Sequence, residues 1–124
     1  MEVLARARDL APNRRSQEAL RNLAQVYEVL EQYGLADQVI IDLGAGIEQH
    51  VQVMSALASK VGVVITDEPT SLTDAYAFIK LCVTRPNPPA IHVVVNQAAS
   101  QEEGETTYGA INRATENFLK FSPP

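Results

Sequence analysis

The segment from Asp42 to Gly46, with the sequence DLGAG, combines residue types that could bind a nucleotide. Asp42 follows a run of β-branched residues, and Gly44 and Gly46 lie in the turn that leads into a helical segment. A carboxylate at a strand end can hold Mg²⁺ through its water shell, and glycines at a helix entrance let backbone N–H groups approach a phosphate. The alternative interpretation is local: Asp42 caps the turn and the glycines supply positive φ angles. Spacing alone leaves both interpretations open.

Polar residues also follow two later apolar runs that have the composition of strands. Thr66, Asp67 and Glu68 follow one run, and Asn96 follows the next. Ligands of open α/β sheets bind outside the carboxyl ends of the strands, so these positions are candidate binding residues. Asn96 could read the edge of a base or another ligand with its amide, or it could form a turn.

Other reactive side chains fit structural roles better. Ser71 and Ser100 lie outside any Gly-x-Ser-x-Gly pattern, which disfavours a serine hydrolase. Ser71 and Asp74 have the spacing of a helix capping box, and we assign Asp74 to that role rather than to a ligand. Neither His50 nor His92 has the spacing of a metal-binding pair, so both are interpreted as packed or solvent-facing residues.

Four segments that must position these residues have helical periodicity. The first covers 16–33, ends before Gly34, and carries an apolar stripe made of Leu20, Leu23, Ala24, Tyr27 and Leu30. The others cover 48–58, 71–83 and a final segment that Pro123 and Pro124 are expected to end. The final helix is marked on one side by Tyr108, Ile111, Thr115 and Phe118.

Three β-branched runs lie between these helices, at 39–41, 61–65 and 91–95. They lack polar alternation, which favours strands covered on both faces. Strands joined by helical crossovers predict a three-layer α/β/α fold with a mainly parallel sheet of about three strands. We expect one domain over 1–124, with an amino-terminal helical segment over 1–37.

Composition and charge exclude several classes of protein. Apolar residues make up 46% of the 124 and charged residues 20%, a balance typical of a globular domain. The net charge of −5 opposes nucleic-acid binding, and the arginines near the amino terminus alternate with acidic residues as on a solvated helix face. No apolar stretch could cross a bilayer and no secretory signal is visible. The single cysteine, Cys82, is expected in the core, and a reducing cytoplasm is the simplest compartment.

Three segments together resemble the MinD/ParA class of P-loop ATPases, and especially the flagellar-number regulators called FlhG or FleN. They are VIIDLGAGIEQHV at 39–51, VVITDEPTSLTDAYAFIK at 63–80 and IHVVVNQAAS at 91–100. The resemblance covers about residues 38 to 121, and EPTSLTDAYAFIK is its most specific part. It implies part of a P-loop fold of the SIMIBI or MinD-like type, with ATP and Mg²⁺ as cofactors in the parent protein.

The resemblance also implies a role for three site residues. Asp42 corresponds to the acidic switch II or Walker B residue, which lies near Mg²⁺, through water, and near the attacking water. Gly46 corresponds to the switch II glycine that faces the γ-phosphate, and Asn96 to the asparagine that contacts adenine. Many members have proline where Gly44 stands, although the flagellar branch tolerates glycine.

The 124 residues lack the lysine that P-loop chemistry requires. Lys60, Lys80 and Lys120 are the only lysines, and none lies in a glycine-rich loop after a strand. The last strand and the amphipathic carboxy-terminal helix, with which many members reach the membrane, are missing too. We therefore expect a central-to-late part of such an ATPase that is inactive alone, and it stays open whether this chain alone binds ATP or Mg²⁺.

Three hypotheses for function follow. In the first, the parent dimerises with ATP, contacts the inner membrane only peripherally from the cytoplasm, and engages a flagellar or polar protein. In the second, the chain is a non-catalytic interaction module that has lost the nucleotide. The third, a generic doubly wound domain such as a receiver, lacks the required acidic pair and lysine. Open sheet edges predict self-association under the first two.

Overall fold

The structure, a computed structural model, describes residues 40–44 and 46–124, together with positions 14, 18, 22, 25, 26, 29 and 32–34. The chain divides into two compact units, residues 1–44 with 48–57 and residues 45–47 with 58–124, and each is described by itself. The elements with described bounds are, in chain order, α1 (Gln49–Ser55), β1 (Lys60–Ile65), α2 (Pro69–Val83), β2 (Ala90–Val95) and α3 (Gln101–Leu119).

The second unit contains a parallel two-stranded sheet. Strands β1 and β2 pair over six residues each, from Lys60 opposite Ala90 to Ile65 opposite Val95. Helix α2 is the crossover between them, as the alternation of apolar runs and helical segments predicts. The α/β class and the parallel pairing are thus confirmed.

One face of the sheet carries the core of this unit. Val61, Val63, Ile65 and Ile91 are buried there. Helix α2 packs on β1, α3 packs on β2, and the two helices pack on each other. They contribute the buried side chains of Ala75, Ile79, Cys82 and Ile111. The predicted core position of Cys82 is confirmed, since its side chain is fully buried.

The opposite face of the sheet is exposed, contrary to the expectation of cover on both faces. Val64 and Val94 are 61% and 51% exposed, and Gly62 and His92 beside them are exposed as well. Burial alternates strictly along β1, although Val64 on the exposed face is as apolar as Val63 on the buried one. An apolar run without polar alternation is compatible with cover on either face of the strand. The run alone does not show which of the two faces is covered. In the described residues the sheet and its helices therefore form two layers.

The predicted strand over 39–41 is wrong at its two described positions. Ile40 and Ile41 have no strand conformation, and Ile40 is 93% exposed. Val39 lies outside the described residues. A β-strand requires a neighbouring strand with which its backbone N–H and C=O groups can form hydrogen bonds. A β-branched composition does not supply that neighbouring strand.

The amino-terminal segment is helical at every described position from 14 to 33. Gly34 follows in a turn with a φ of +58°, the left-handed conformation expected for the residue after a helix end. The predicted apolar stripe of this segment lies outside the described residues. The boundaries expected from the sequence, one domain over 1–124 with a helical segment over 1–37, stay predictions.

Two helices have different ends from those predicted. The helix expected over 48–58 is the seven-residue α1. Helix α3 ends at Leu119, because Lys120 adopts the left-handed conformation with a φ of +55°, so the two prolines do not end it. Pro123 instead lies buried against α3, where its carbonyl accepts a hydrogen bond from the Tyr108 hydroxyl. None of the helices in the described part of the chain combines the length and hydropathy that a bilayer crossing requires.

The start of α2 corrects the capping box predicted at Ser71 and Asp74. The helix begins two residues earlier, at Pro69, whose fixed φ suits the first turn, and the preceding Glu68 makes no side-chain cap. Ser71 lies inside that turn, where its Oγ accepts a hydrogen bond from the Thr66 N–H at 3.0 Å. Asp74 is exposed one turn further on.

Adjacent substitutions in β1 test which face of the sheet carries the core. We expect Ile65→Ala to lower the free energy of unfolding by about 2–5 kcal/mol, because it leaves a cavity under α2 and α3. Val64→Ala, on the exposed face, should change it by about 0.5 kcal/mol or less. Urea denaturation in dilute solution measures both. Equal losses at the two positions would mean that both faces are covered, as the sequence predicts.

A pair of substitutions in α2 tests the corrected role of Ser71. Ser71→Ala should cost about 1–3 kcal/mol in unfolding free energy, because the partly buried Thr66 N–H loses its acceptor. Asp74→Ala is the matched control, since it also places alanine in α2 but should cost about 0.5 kcal/mol or less. A larger loss at Asp74 than at Ser71 would restore the predicted capping box.

Candidate functional site

The carboxyl ends of β1 and β2 meet at one edge of the sheet. Ile65 and Val95 are register partners, and the Asn96 N–H donates a hydrogen bond of 2.8 Å to the Ile65 carbonyl, which extends the ladder by one step. Thr66 follows Ile65 directly and Asn96 follows Val95, so the polar residues after both strands lie at this edge. Of the three polar strand ends that the sequence predicts at one edge, those at Thr66 and Asn96 meet there, whereas Asp42 does not follow a strand, because Ile40 and Ile41 have no strand conformation.

The β1 side of this edge is held by the hydrogen bond between Thr66 and Ser71. Because this bond joins the strand end to the first turn of α2, it fixes the path of the two residues between Thr66 and that turn. These two residues, Asp67 and Glu68, are exposed carboxylates. The edge therefore presents negative charge to solvent on this side.

The β2 side of the edge turns sharply at Asn96. Its side-chain Oδ1 accepts a hydrogen bond of 3.0 Å from the Gln97 N–H, and Gln97 has a φ of +61° in the left-handed region. This is the geometry of the turn-forming alternative. The amide stays exposed, with its Nδ2 group as a donor that Gln97 does not use. Contact with adenine at Asn96 stays a prediction.

A capping box at the start of α3 holds the loop after Asn96. The Glu103 N–H donates to the Ser100 Oγ at 3.2 Å, and the Glu103 carboxylate accepts from the Ala99 N–H at 2.6 Å. Sequence reasoning considered Ser100 only as a nucleophile and missed this role. The S-x-x-E spacing at 100–103 is the signal that could have revealed it. Because the two residues before the helix form hydrogen bonds with Glu103, these bonds fix the end of the loop that runs from Asn96 to α3.

The segment around Asp42 also has a local turn geometry. The Asp42 Oδ1 accepts a hydrogen bond of 3.1 Å from the Gly44 N–H, and Gly44 and Gly46 have φ angles of +68° and +112°. L side chains rarely adopt these conformations, so the turn requires glycine at both positions. Asp42 belongs to the first unit of the chain, whereas Gly46 and Asn96 belong to the second. The roles of Asp42 and Gly46 at a nucleotide stay predictions.

The residues present are chemically suited to parts of a Mg-nucleotide site. Asp42 is an exposed carboxylate, as a water-mediated contact to Mg²⁺ requires, and Asn96 offers an exposed amide donor for a base edge. Within 40–44, 46–124 and the other described positions, no three His, Cys, Asp or Glu side chains converge as metal ligands. His92 is exposed on β2, and the side chain of His50 lies outside the described residues.

Comparison with known proteins gives two flagellar relatives, each of which matches the chain over 83 residues. No family model matches the chain. It is 37% identical over 83 residues to the antiactivator FleN of Pseudomonas aeruginosa, a match that covers 67% of this chain and 30% of FleN. It is 31% identical over 83 residues to the flagellum site-determining protein YlxH of Helicobacter pylori, covering 67% of this chain and 28% of YlxH.

A third similarity involves a different kind of protein. The chain is 48% identical over 54 residues to the ATP phosphoribosyltransferase regulatory subunit of Syntrophotalea carbinolica, covering 42% of this chain and 13% of that protein.

The flagellar matches agree with the family that the three sequence segments resemble. The chain spans less than a third of the length of FleN or YlxH, so it corresponds to a part of these proteins. Over that part, the chain belongs to the FlhG/FleN-like branch of the MinD/ParA family.

Proposed function

We propose that these residues act as part of a MinD/ParA-like ATPase that regulates the number or placement of flagella. The observation that carries this proposal is the 83-residue match to the antiactivator FleN. The parallel β1–α2–β2 unit supports it, because it brings polar residues to the strand ends where nucleotides bind in α/β proteins. In the whole protein, further strands and a third layer would complete a P-loop fold.

In this proposal the parent protein binds ATP with Mg²⁺ and dimerises in response. The bound nucleotide supplies the phosphate charge and the reactive γ-phosphate. Asp42 would hold Mg²⁺ through water, Gly46 would let the backbone approach the γ-phosphate, and Asn96 would donate its Nδ2–H to adenine. The Gln97 N–H supports the last role, because its hydrogen bond to Oδ1 orients the Asn96 amide.

The proposed setting is the cytoplasmic side of the inner membrane, with peripheral contact made by segments outside these 124 residues. The proposed partners are a second copy and a flagellar or polar protein. The net charge of −5 supports a protein partner over a nucleic acid, because no phosphate backbone is attracted to it.

A non-catalytic interaction module is the second candidate. It concerns these 124 residues by themselves, which contain no lysine in a glycine-rich loop. Such a module would keep the partner surfaces of the family without binding nucleotide.

Counting flagella tests the proposed cellular role. We expect expression of this chain in Pseudomonas aeruginosa to change the number of flagella per cell, seen by electron microscopy, because it competes for surfaces that FleN uses. Glu105→Gln, a neutralised exposed residue on α3, is the control that should behave like the unsubstituted chain. Unchanged flagellation at an expression level equal to that of FleN would contradict the role.

Calorimetry with ATP and Mg²⁺ separates the two candidates. For a nucleotide-binding part we expect measurable heat, and Asn96→Ala should weaken the affinity by about 1–3 kcal/mol through loss of a donor to adenine. Gln101→Ala, on the exposed first turn of α3, is the matched control and should leave the affinity unchanged. Binding at micromolar ATP would contradict the interaction module.

A further inference from the structure

The loop between β2 and α3 is exposed along its whole length. We call residues 96–100, with the sequence NQAAS, the edge loop, and all five of them are exposed. One of them, Gln97, has a φ of +61°, in the left-handed region that residues with a Cβ atom rarely adopt. Such a conformation costs free energy and persists where neighbouring contacts hold it. Because burial contributes little to an exposed loop, hydrogen bonds must supply most of this support.

Hydrogen bonds hold the edge loop on both sides of Gln97. On the β2 side, the Asn96 N–H donates to the Ile65 carbonyl at 2.8 Å. On the α3 side, the Ala99 N–H donates to the Glu103 carboxylate at 2.6 Å. A hydrogen bond from an amide to a charged acceptor is stronger than one between neutral groups. Because both ends of this short span are anchored, the backbone between them has few alternative conformations.

The Glu103 carboxylate reaches one residue beyond the start of the helix. In the usual capping box it would accept from the N–H of the N-cap residue, which is Ser100 in α3. Its hydrogen bond goes instead to Ala99, the residue before the N-cap. The helix start has contacts of its own, because Ser100 accepts from the Glu103 N–H with its Oγ and from the Gly104 N–H with its carbonyl. The carboxylate therefore supports the edge loop rather than the helix.

The middle of the edge loop also lies against α3. A Cβ atom built on Gly104 would lie 3.6 Å from the Ala98 Cβ, which is an ordinary van der Waals distance. Ala98 is thus in contact distance of the helix, one residue after Gln97 and one before Ala99. A displacement of Ala99 on loss of its acceptor would therefore be passed through Ala98 to Gln97.

The peptide group between Asn96 and Gln97 connects this loop to the candidate binding residue. The Gln97 N–H donates to the Asn96 Oδ1 at 3.0 Å. Rotation of this peptide group would relieve the positive φ of Gln97, but it would also turn the N–H away from Oδ1. The anchor at Glu103 opposes that rotation, because it holds the loop on the far side of Gln97.

We propose that Glu103 is a positioning residue for Asn96, because its carboxylate holds the edge loop in the conformation that orients the Asn96 amide. With Oδ1 engaged by Gln97, the group that Asn96 offers is Nδ2, which is a hydrogen-bond donor. A ligand at this position therefore presents an acceptor, such as a ring nitrogen of a base. This inference deepens the proposed role of Asn96 in nucleotide binding and rests on it.

NMR of the isotopically labelled full chain, recorded without nucleotide, tests this role. In Glu103→Ala we expect solvent exchange of the Ala99 and Gln97 amides to rise about tenfold, the factor that loss of a hydrogen bond to a charged group gives. The Asn96 Nδ2 group should become more mobile by ¹⁵N relaxation. Glu103→Gln keeps a carbonyl acceptor and should behave like the unsubstituted chain in both measurements. Glu102→Ala, at the exposed neighbouring position of α3, is the control and should change neither.

Exchange inside α3 separates a positioning role from a merely structural one. The buried Ile111 lies in the middle of α3, and its amide should exchange at the same rate in every variant. An increase at Ile111 as large as that at Ala99 would mean that Glu103 only stabilises the helix, and it would overturn the proposal. Unchanged mobility of the Asn96 Nδ2 group in Glu103→Ala would overturn it too.

Substitution of Gln97 provides a second measurement of the same coupling. Glycine adopts a positive φ without strain, so a Gln97→Gly chain depends less on the anchor at Glu103. Adding Glu103→Ala to this chain should raise the mobility of the Asn96 Nδ2 group less than it does when Gln97 is present. An equal effect in both chains would overturn the proposal. Failure here would leave the calorimetric and flagellar tests unaffected, and failure of the nucleotide role would not alter these signals, because they are recorded without nucleotide.

Discussion

The parallel pairing of β1 with β2 is the constraint on which the described part of the second unit depends. In-register pairing places Ile65 beside Val95, so both chains leave the sheet at the same edge. It also divides the strand residues into two faces, of which one packs on α2 and α3. The polar edge and the core are therefore consequences of the same ladder. Loss of the pairing would separate Asn96 from Thr66 and remove the platform for both helices.

Local hydrogen bonds turn this edge into a defined surface. Ser71 joins the end of β1 to α2, and the Asn96 N–H joins the start of the next loop to Ile65. The capping box of Ser100 and Glu103 fixes the far end of that loop. None of these bonds requires a ligand. The exposed Asn96 amide is thus positioned by backbone and short side chains, which is the kind of support that a binding residue needs.

The sequence was sufficient for the class of fold and for the position of the edge. Apolar runs separated by helical segments predict β1, α2 and β2 and, through the rule for parallel sheets, the meeting of Thr66 with Asn96. The sequence was insufficient where one residue pattern is compatible with two different structures. Val63 and Val64 have the same side chain, yet only the ladder and the helices decide that Val63 is buried and Val64 exposed. Likewise, Ser71 has the spacing of a cap, but Pro69 starts the helix earlier and leaves its hydroxyl for Thr66.

Whether the edge of the β1–β2 sheet binds a nucleotide is the central question for this member of the FlhG/FleN-like branch. Titration of the isotopically labelled full chain with ATP and Mg²⁺, followed by NMR of the backbone amides, addresses it most directly. We expect the largest shifts at Thr66, Asn96 and Gln97, because these amides lie at the shared edge. Shifts confined to residues away from that edge would contradict a nucleotide role for it.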